Sequence, residues 1–178
     1  MRATAFVGTS LDGFIARTND ALDFLPEGGG EDHGFTEFLA GVDAIVMGRR
    51  TFEVVLTFGG WHYGTKPVVV LSSRPVTIPA FPGAVIEHMS GTPAEIVSRL
   101  AGRGMEHIYV DGGATIQRFL EAGLIQRLVI TRVPVLIGSG IPLFGPLSRD
   151  IVVRHVATRA YPSGLVQSEY LVGRAPAE

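Results

Sequence analysis

Short apolar runs that end in glycine-bearing turns constrain the fold of this chain more than any other feature. Three such runs, at residues 44–47, Val68–Leu71 and 108–110, are continuously apolar and do not alternate with polar residues. Runs of this kind are typical of strands that are covered on both faces, as in a parallel sheet. Because helical patterns lie between them, the sequence predicts an α/β fold built on a parallel sheet.

Amphipathic stretches predict four helices, at residues 32–40, 51–56, 93–101 and 115–122. Thr92 before Pro93 suits an N-cap before a first helical turn, and Gly123 suits a left-handed residue after a helix end. After Gly123 the pattern becomes β-rich, with a hairpin turn at residues 161–164. Further strands are predicted at residues 2–7, 127–135, 151–158 and 165–172. We therefore expect a mixed, mostly parallel central sheet with antiparallel C-terminal strands, in a single domain over residues 1–178.

Composition excludes several classes of function. The 178 residues carry a formal net charge of −2, so the chain has no basic field for nucleic acid or for anionic lipid. The chain has no cysteine, which excludes disulfide scaffolds, thiolate zinc sites and cysteine nucleophiles. Its five histidines show no metal-binding spacing, so we expect no metal. The N-terminus lacks a signal-peptide pattern and no apolar run approaches ~18 residues, so we expect a cytoplasmic protein.

Three of the predicted strands run into turns that suit phosphate groups. Residues 48–51 and 111–115 each open a predicted helix, and residues 71–74 follow a third strand. A helix N-terminus at the carboxyl end of a parallel strand offers unpaired N–H groups, and glycine lets the backbone approach an anion closely. We therefore expect a nucleotide with more than one phosphate, although strand-to-helix turns also use glycine for structure alone and the G-x-G-x-x-G pattern is absent.

Four motifs, in order along nearly the whole chain, resemble the dihydrofolate reductase superfamily. They are Ser10-Leu11-Asp12-Gly13-Phe14-Ile15-Ala16, Met47-Gly48-Arg49-Arg50-Thr51-Phe52-Glu53, Leu71-Ser72-Ser73-Arg74 and Tyr109-Val110-Asp111-Gly112-Gly113-Ala114. A fifth segment, residues 138–144, is similar to the substrate-side loop of the reductase domain of riboflavin biosynthesis. The resemblance implies a dihydrofolate-reductase-like three-layer fold and a reductase that uses NADPH. It further implies a pyrimidine- or pterin-like heterocycle as substrate, as in the 5-amino-6-(5-phosphoribosylamino)uracil reductase domain.

The resemblance also assigns residues to the two ligands. Arg74 and its neighbouring serines favour NADPH over NADH, since a 2′-phosphate needs cationic and hydroxyl partners. The implied cofactor-binding residues are Gly48, Arg49, Arg50, Thr51, Leu71, Ser72, Ser73, Arg74, Asp111, Gly112, Gly113, Ala114 and Thr115. The implied substrate-binding residues are Ser10, Gly138, Gly140, Pro142, Leu143 and Phe144.

Reduction of the heterocycle needs a proton, which an acid or an ordered water must supply. Asp12 and Asp32 are the candidate catalytic carboxylates, and Glu31 is adjacent to the second. Each aspartate also has a structural interpretation, because Asp12-Gly13 is a common turn and an aspartate before a helix is commonly an N-cap.

The sequence is also compatible with two other functions. The chain can instead be a true dihydrofolate reductase, or a protein that binds NADP(H) without turnover.

The riboflavin reductase is fused to a zinc deaminase in many bacteria, but a chain without cysteine does not supply that deaminase. Arg17, Lys66 and Arg132 are available for a substrate phosphate. Members of the family commonly dimerise and the charged fraction is only 18%, so we expect a homodimer.

Overall fold

The computed structural model describes residues 1–26 and 32–173, which form a central sheet with helices on both faces. The elements in chain order are β1 (Arg2–Ser10), β2 (Phe14–Ala16), α1 (Phe35–Ala40), β3 (Ala44–Gly48), α2 (Arg49–Leu56), β4 (Val68–Leu71), β5 (Ile86–Met89), α3 (Pro93–Ala101), β6 (His107–Asp111), α4 (Gly113–Glu121), β7 (Arg127–Val133), β8 (Ile141–Pro142), β9 (Val153–Ala160) and β10 (Val166–Val172). Among the described residues, no helix combines the length and the apolar character that crossing a membrane requires.

The eight-stranded sheet has the strand order β5-β4-β3-β6-β1-β7-β10-β9. The six strands from β5 to β7 pair in parallel, and β10 pairs antiparallel with both β7 and β9. The predicted fold class, a mixed and mostly parallel sheet with antiparallel C-terminal strands, is therefore confirmed. A single domain over residues 1–178 stays a prediction.

Strand β3 explains why the parallel strands are continuously apolar. Its alternate residues Ala44 and Val46 belong to one core cluster, which contains residues of α3 and α4. The residues between them, Ile45 and Met47, belong to a second cluster with residues of α2 and, at its margin, of α1. All four side chains are fully buried, so both faces of the strand are covered. This arrangement gives the three layers that the resemblance implied.

The structure departs from the predicted elements where local signals are weak. Strand β1 continues to Ser10, and β5 was not predicted because half of its residues are polar. Helix α1 begins at Phe35 rather than at residue 32, since Gly34 before it has a left-handed conformation with φ 80°. The short strands β2 and β8 pair only with each other and carry too few residues for a recognisable pattern.

Other local signals gave the correct element. Helix α3 has the predicted bounds, and its first turn is a capping box in which Thr92 accepts from the backbone N–H of Glu95. The turn at residues 161–164 joins β9 to β10, with the N–H of Tyr161 donating to the carbonyl of Leu165 at 2.9 Å.

Candidate functional site

The three predicted phosphate turns lie together at the carboxyl edge of the parallel strands. Gly48 at the end of β3 is beside Leu71 of β4, and Met47 is beside Asp111 of β6. Helix α2 begins immediately after Gly48, and α4 begins at Gly113. The N–H groups of two helical first turns are therefore presented at one edge of the sheet, which is where ligands bind in open α/β sheets.

The turns at residues 48–51 and 112–115, called here the first and second glycine turns, pack directly against each other. A Cβ atom on Gly48 would lie 2.9 Å from Oγ1 of Thr115 in the second turn. A Cβ atom on Gly112 would overlap Oγ1 of Thr51 in the first turn, and φ of Gly112 is +87°. Each glycine thus faces the threonine of the opposite turn, and the contact leaves no space for a side chain.

Two cavities adjoin at these turns. The first, called the cleft, has a volume of about 320 Å³ and extends from the second glycine turn towards β1 and α2. The second, called the outer cavity, also has about 320 Å³ and extends to the serine turn at residues 71–73. Because both are lined by Gly48, Arg50, Ala114 and Thr115, they form one groove across the strand ends. Its size and position suit a long ligand such as a dinucleotide.

Nearly all of the residues that the resemblance assigned to the cofactor line this groove. The exception is Arg74, which is exposed and lines neither cavity, while its backbone N–H donates to Oγ of Ser72 at 3.0 Å. Three other arginines, Arg49, Arg50 and Arg118, line the outer cavity with Ser72 and Ser73. Sequence reasoning missed Arg118. Its position four residues after Ala114 was the available signal, since residues one turn apart share a helix face.

The cleft combines an apolar wall with a small polar end. Its aliphatic and aromatic wall comes from the loop after β2, from α2 and from the turn that follows α2, and it includes Leu22, Leu25, Val54 and Phe58. Its polar end includes Tyr63, Tyr109 and Asp111 below the second glycine turn, and Asp20 with Arg50 near the helix start. A mostly apolar cavity with a few polar groups is typical of a site for a flat organic molecule.

Asp111 is the carboxylate that the cleft contains at the end of β6. Its Oδ1 accepts from the backbone N–H of Gly112 at 2.8 Å. Burial raises the pKa of Asp111 to about 6, although the hydrogen bond from the N–H of Gly112 acts in the opposite direction. A carboxyl group that titrates near neutral pH in a cleft can hold and release a proton. The resemblance had assigned Asp111 to cofactor binding. The ability of Asp111 to act as an acid follows only from its burial in the structure.

The two tyrosines of the polar end remain neutral hydroxyl groups. Burial raises the pKa of Tyr63, and the nearby Asp111 raises it further. Burial likewise raises the pKa of Tyr109, whose hydroxyl donates to the carbonyl of Phe6 at 2.9 Å. These side chains therefore serve as hydrogen-bonding groups that fix the surroundings of Asp111, rather than as sources of charge.

Asp12 lies in a different environment from Asp111. Its exposed carboxylate accepts from the N–H of Ile137 at 3.2 Å and of Gly138 at 2.8 Å, so it holds the loop before β8. The hydrogen bond with Ser10 lowers the pKa of Asp12, and the N–H groups of the loop lower it further. Asp12 does not line the cleft, and its assignment to catalysis stays a prediction.

None of the six residues assigned to the substrate lines the cleft. Oγ of Ser10 accepts from the N–H of Phe14 at 3.0 Å, and Gly140 packs against the carbonyl of Ala16. Leu143 is only 2% exposed and belongs to the core, whereas its neighbour Phe144 is exposed. Pro142 pairs with Phe14 across the β2–β8 ladder. From this segment Ile141 lines the cleft, so contact between the assigned set and a substrate stays a prediction.

Asp32 lies at the start of α1, away from the groove. Its carboxylate accepts from the backbone N–H of Thr36 at 3.1 Å and from the hydroxyl of that residue at 2.6 Å. This is the geometry of a side chain that satisfies a helix N-terminus, and Asp32 lines neither cavity of the groove. Glu31, the alternative to Asp32, lies outside the described residues. Within residues 1–26 and 32–173, no group of three acidic or histidine side chains is placed to hold a metal ion.

Comparison with known proteins gives a family match and a set of relatives. The family model for the RibD C-terminal domain matches residues 3–167 of this chain. The uncharacterised protein YwjB of Bacillus subtilis (strain 168) is 29% identical over 173 residues, which cover 96% of this chain and 97% of YwjB.

Two solved structures share the fold over nearly the whole chain. A proposed riboflavin biosynthesis protein from Shewanella sp. PV-4 has a TM-score of 0.90 at 37% identity, with 98% of this chain and 100% of that chain covered. The dihydrofolate reductase of Enterococcus faecalis, solved in complex with NADP(H), has a TM-score of 0.66 at 15% identity, with 97% of each chain covered. The second likeness is one of fold.

Proposed function

The chain belongs to the RibD C-terminal domain family, and from this premise we propose that it is an NADPH-dependent reductase of a flat, pyrimidine- or pterin-like heterocycle. The observation that carries the proposal is the groove at the strand ends. In it, two glycine turns that present helix N-termini adjoin a largely apolar cleft that contains the carboxyl group of Asp111. Such a groove can hold a diphosphate at its centre and a flat ring beside a proton source.

The residues of the groove fit a dinucleotide with an additional phosphate. The N–H groups of both glycine turns suit a diphosphate, and the lack of a Cβ at Gly48 and Gly112 lets the two turns pack close enough to present these groups together. Ser72, Ser73 and Arg118 supply the hydroxyl and cationic partners that a 2′-phosphate needs. When bound, NADPH supplies a hydride to the substrate. The known NADP(H) complex of the Enterococcus faecalis reductase supports this choice of cofactor.

Asp111 and the apolar wall have separate roles in the proposed reaction. Reduction of a C=N or C=O bond leaves negative charge on the acceptor, and the protonated carboxyl of Asp111 can neutralise it by donating its proton. The wall formed by Leu22, Leu25 and Phe58 excludes water and stacks against the ring. Gly112 holds the carboxyl by its N–H and so fixes the direction of the acid.

Cofactor oxidation with a panel of heterocycles tests the proposal. The expected result is tight binding of NADPH by titration calorimetry, and a loss of reduced-nicotinamide absorbance that depends on one class of heterocycle. Binding without any substrate-dependent loss would favour the non-catalytic alternative. Efficient turnover of dihydrofolate with tight inhibition by methotrexate would favour a true dihydrofolate reductase. Absence of NADP(H) binding would contradict the proposal as a whole.

The arginines near the serine turn give a prediction about cofactor choice. Arg118 lines the outer cavity and Arg74 does not, so Arg118→Ala should weaken NADPH binding by about 1–3 kcal/mol, the cost of losing charge-assisted bonds to a phosphate. NADH binding should change little. Arg74→Ala, which the sequence motif alone singles out, should have the smaller effect. Titration of both cofactors checks this, with Arg154→Ala on β9 as the control, and equal losses for NADPH and NADH would contradict it.

Strand β9 favours a homodimer as the assembled state. It is an edge strand, all eight of its residues are exposed, and Val153 and Val156 are 44% and 43% exposed. An edge strand with unpaired backbone groups and exposed valines is suited to pair with a second copy of the chain.

Val156→Lys should therefore shift the protein from dimer to monomer, because it places a charge on the pairing surface. Light scattering coupled to size-exclusion chromatography measures the shift. Val85→Lys provides the matched control, since Val85 is 50% exposed but lies before β5 at the other edge of the sheet. A monomeric wild type, or a Val156→Lys variant that stays dimeric, would contradict the prediction.

A further inference from the structure

An ion pair lies at the edge of the cleft, between the loop that follows β2 and the first turn of α2. Nε of Arg50 is 2.5 Å from Oδ1 of Asp20, and Nη2 of Arg50 donates to the carbonyl of Thr18 at 3.3 Å. Both members of the pair line the cleft, and Arg50 also lines the outer cavity. The loop therefore holds this arginine through two contacts.

The backbone of Asp20 is held in an uncommon conformation. Its φ is +68°, and Asp20 and His33 are the two residues other than glycine with positive φ in the described part of the chain. The turn is closed by a hydrogen bond from the N–H of Asp20 to the carbonyl of Arg17 at 3.0 Å. Aspartate and asparagine tolerate this region better than most residues, but it still carries strain. The fold therefore places a carboxylate against Arg50 despite a local backbone cost.

Arg50 is the group that a phosphorylated substrate would need. An arginine binds phosphate through paired hydrogen bonds, and Arg50 is the cation lining the cleft among residues 1–26 and 32–173. Residues 27–31, Glu-Gly-Gly-Gly-Glu, contain neither lysine nor arginine. Asp20 already pairs with Arg50, so a phosphate entering the cleft would compete with this carboxylate for the guanidinium.

The other cations considered for a substrate phosphate are engaged elsewhere or lie outside the cleft. Nε of Arg17 is 2.6 Å from the carboxylate of Asp23, and Nζ of Lys66 donates to the carbonyl of Val42 at 2.5 Å. Neither of them lines the cleft, and neither does Arg132 of β7. The remaining charge in the cleft is the carboxyl of Asp111, which repels a phosphate when it is ionised.

We propose that Asp20 is a specificity-determining residue, which neutralises Arg50 and makes the cleft select an unphosphorylated heterocycle over its phosphate ester. This inference rests on the proposed reductase function and names its substrate class. It separates the protein from a reductase of phosphoribosylated uracils, whose substrate brings a phosphate into the cleft. Selection of this kind works by leaving the wrong ligand's charge without a partner.

Paired titrations with uridine and uridine 5′-monophosphate test the inference, using protein saturated with NADP⁺. The wild type should bind uridine about tenfold or more tightly than the monophosphate, a ratio on the scale of one charge-assisted contact. Asp20→Asn frees Arg50 while keeping the size and the left-handed tolerance of the side chain. It should strengthen binding of the monophosphate about tenfold relative to that of uridine.

Asp23→Asn is the matched control, because it removes the neighbouring ion pair with Arg17 outside the cleft. Three results would overturn the inference: a wild type that prefers the monophosphate, an equal gain in the Asp23→Asn variant, or no binding of either pyrimidine. Failure of the proposed function gives a different result. The protein would then not bind NADP⁺ when it is titrated with this cofactor, before either pyrimidine is added. The same ligand pair is then titrated against the protein alone, so that the selectivity is still measured.

Discussion

Asp111→Asn is expected to lower kcat by about 100-fold or more while leaving the dissociation constant of NADPH nearly unchanged. Loss of a positioned general acid typically costs 10²–10⁴-fold in rate, roughly independent of cofactor binding. Asparagine has the same size, and its amide oxygen can still accept from the N–H of Gly112, so the second glycine turn is preserved. The substitution thus removes the proton of Asp111 and little else.

The pH profile separates this role from a structural one. Because burial raises the pKa of Asp111 to about 6, the fraction that carries a proton falls as the pH rises above that value. We therefore expect kcat/KM of the wild type to fall on the alkaline side with an apparent pKa near 6, and this limb should disappear in Asp111→Asn. Steady-state kinetics over a pH series measures both.

The same pKa predicts the pH dependence of stability. The folded protein binds the proton of Asp111 more tightly than the unfolded chain, whose aspartates titrate near 3.8. The contribution of this group to the free energy of unfolding is therefore fully present below pH 3.8, and it is lost as the pH rises through about 6. Asp111→Asn should remove this slope, which urea denaturation at several pH values measures.

Asp43→Asn is the control for these measurements. Asp43 precedes β3 at the opposite edge of the sheet, where its carboxylate accepts from the backbone of Glu106 and His107. It should leave kcat and its pH limb unchanged even if it lowers stability. If Asp111→Asn retained the kcat and the alkaline limb of the wild type, Asp111 would not be the acid, and Asp12 or an ordered water would take its place.

The fold could be predicted from the sequence where burial is strong on both faces. The sequence predicts strands at residues 44–47 and Val68–Leu71 because every side chain in them must be apolar. Strand β5 gives no such signal, since it lies at the edge of the sheet and half of its residues are polar. Its place is decided by pairing with β4, which a local pattern does not encode.

The candidate site, like the fold, has features that the sequence predicts and features that it does not. The glycine turns could be located because Gly48 and Gly112 follow apolar runs. A backbone turn of this kind is determined by residues that are adjacent in the sequence. The ion pair of Asp20 with Arg50 joins residues thirty positions apart, and the raised pKa of Asp111 depends on burial by the whole fold. Neither follows from spacing, because each depends on which segments the fold packs together.

The contact between the two glycine turns gives the second large prediction. Gly112→Ala is expected to weaken NADPH binding by about 100-fold and to lower the free energy of unfolding by about 2–4 kcal/mol. Gly112 has φ +87° and ψ 137°, a region that costs other residues of the order of 1–3 kcal/mol. In addition, a Cβ there overlaps Oγ1 of Thr51, so the two turns must separate. Separation moves the N–H groups that would hold the diphosphate.

Gly123→Ala is the matched control, because Gly123 also has a positive φ, +68°, and follows the other end of α4. A Cβ at Gly123 meets nothing within 4 Å, so this variant carries conformational strain without a collision. It should lower the free energy of unfolding by about 1 kcal/mol and leave NADPH binding unchanged. Chemical denaturation and titration calorimetry on both variants separate the two costs.

Thr51→Ala in the Gly112→Ala background keeps the prediction testable if the single variant folds poorly. Removing Oγ1 of Thr51 relieves the closest collision but not the backbone strain at residue 112, so the double variant should recover part of the stability and part of the NADPH affinity. Recovery of this kind would assign the loss to the contact between the turns. Wild-type NADPH affinity in a folded Gly112→Ala protein would instead mean that the paired turns do not hold the cofactor, and the reductase proposal would lose its cofactor site.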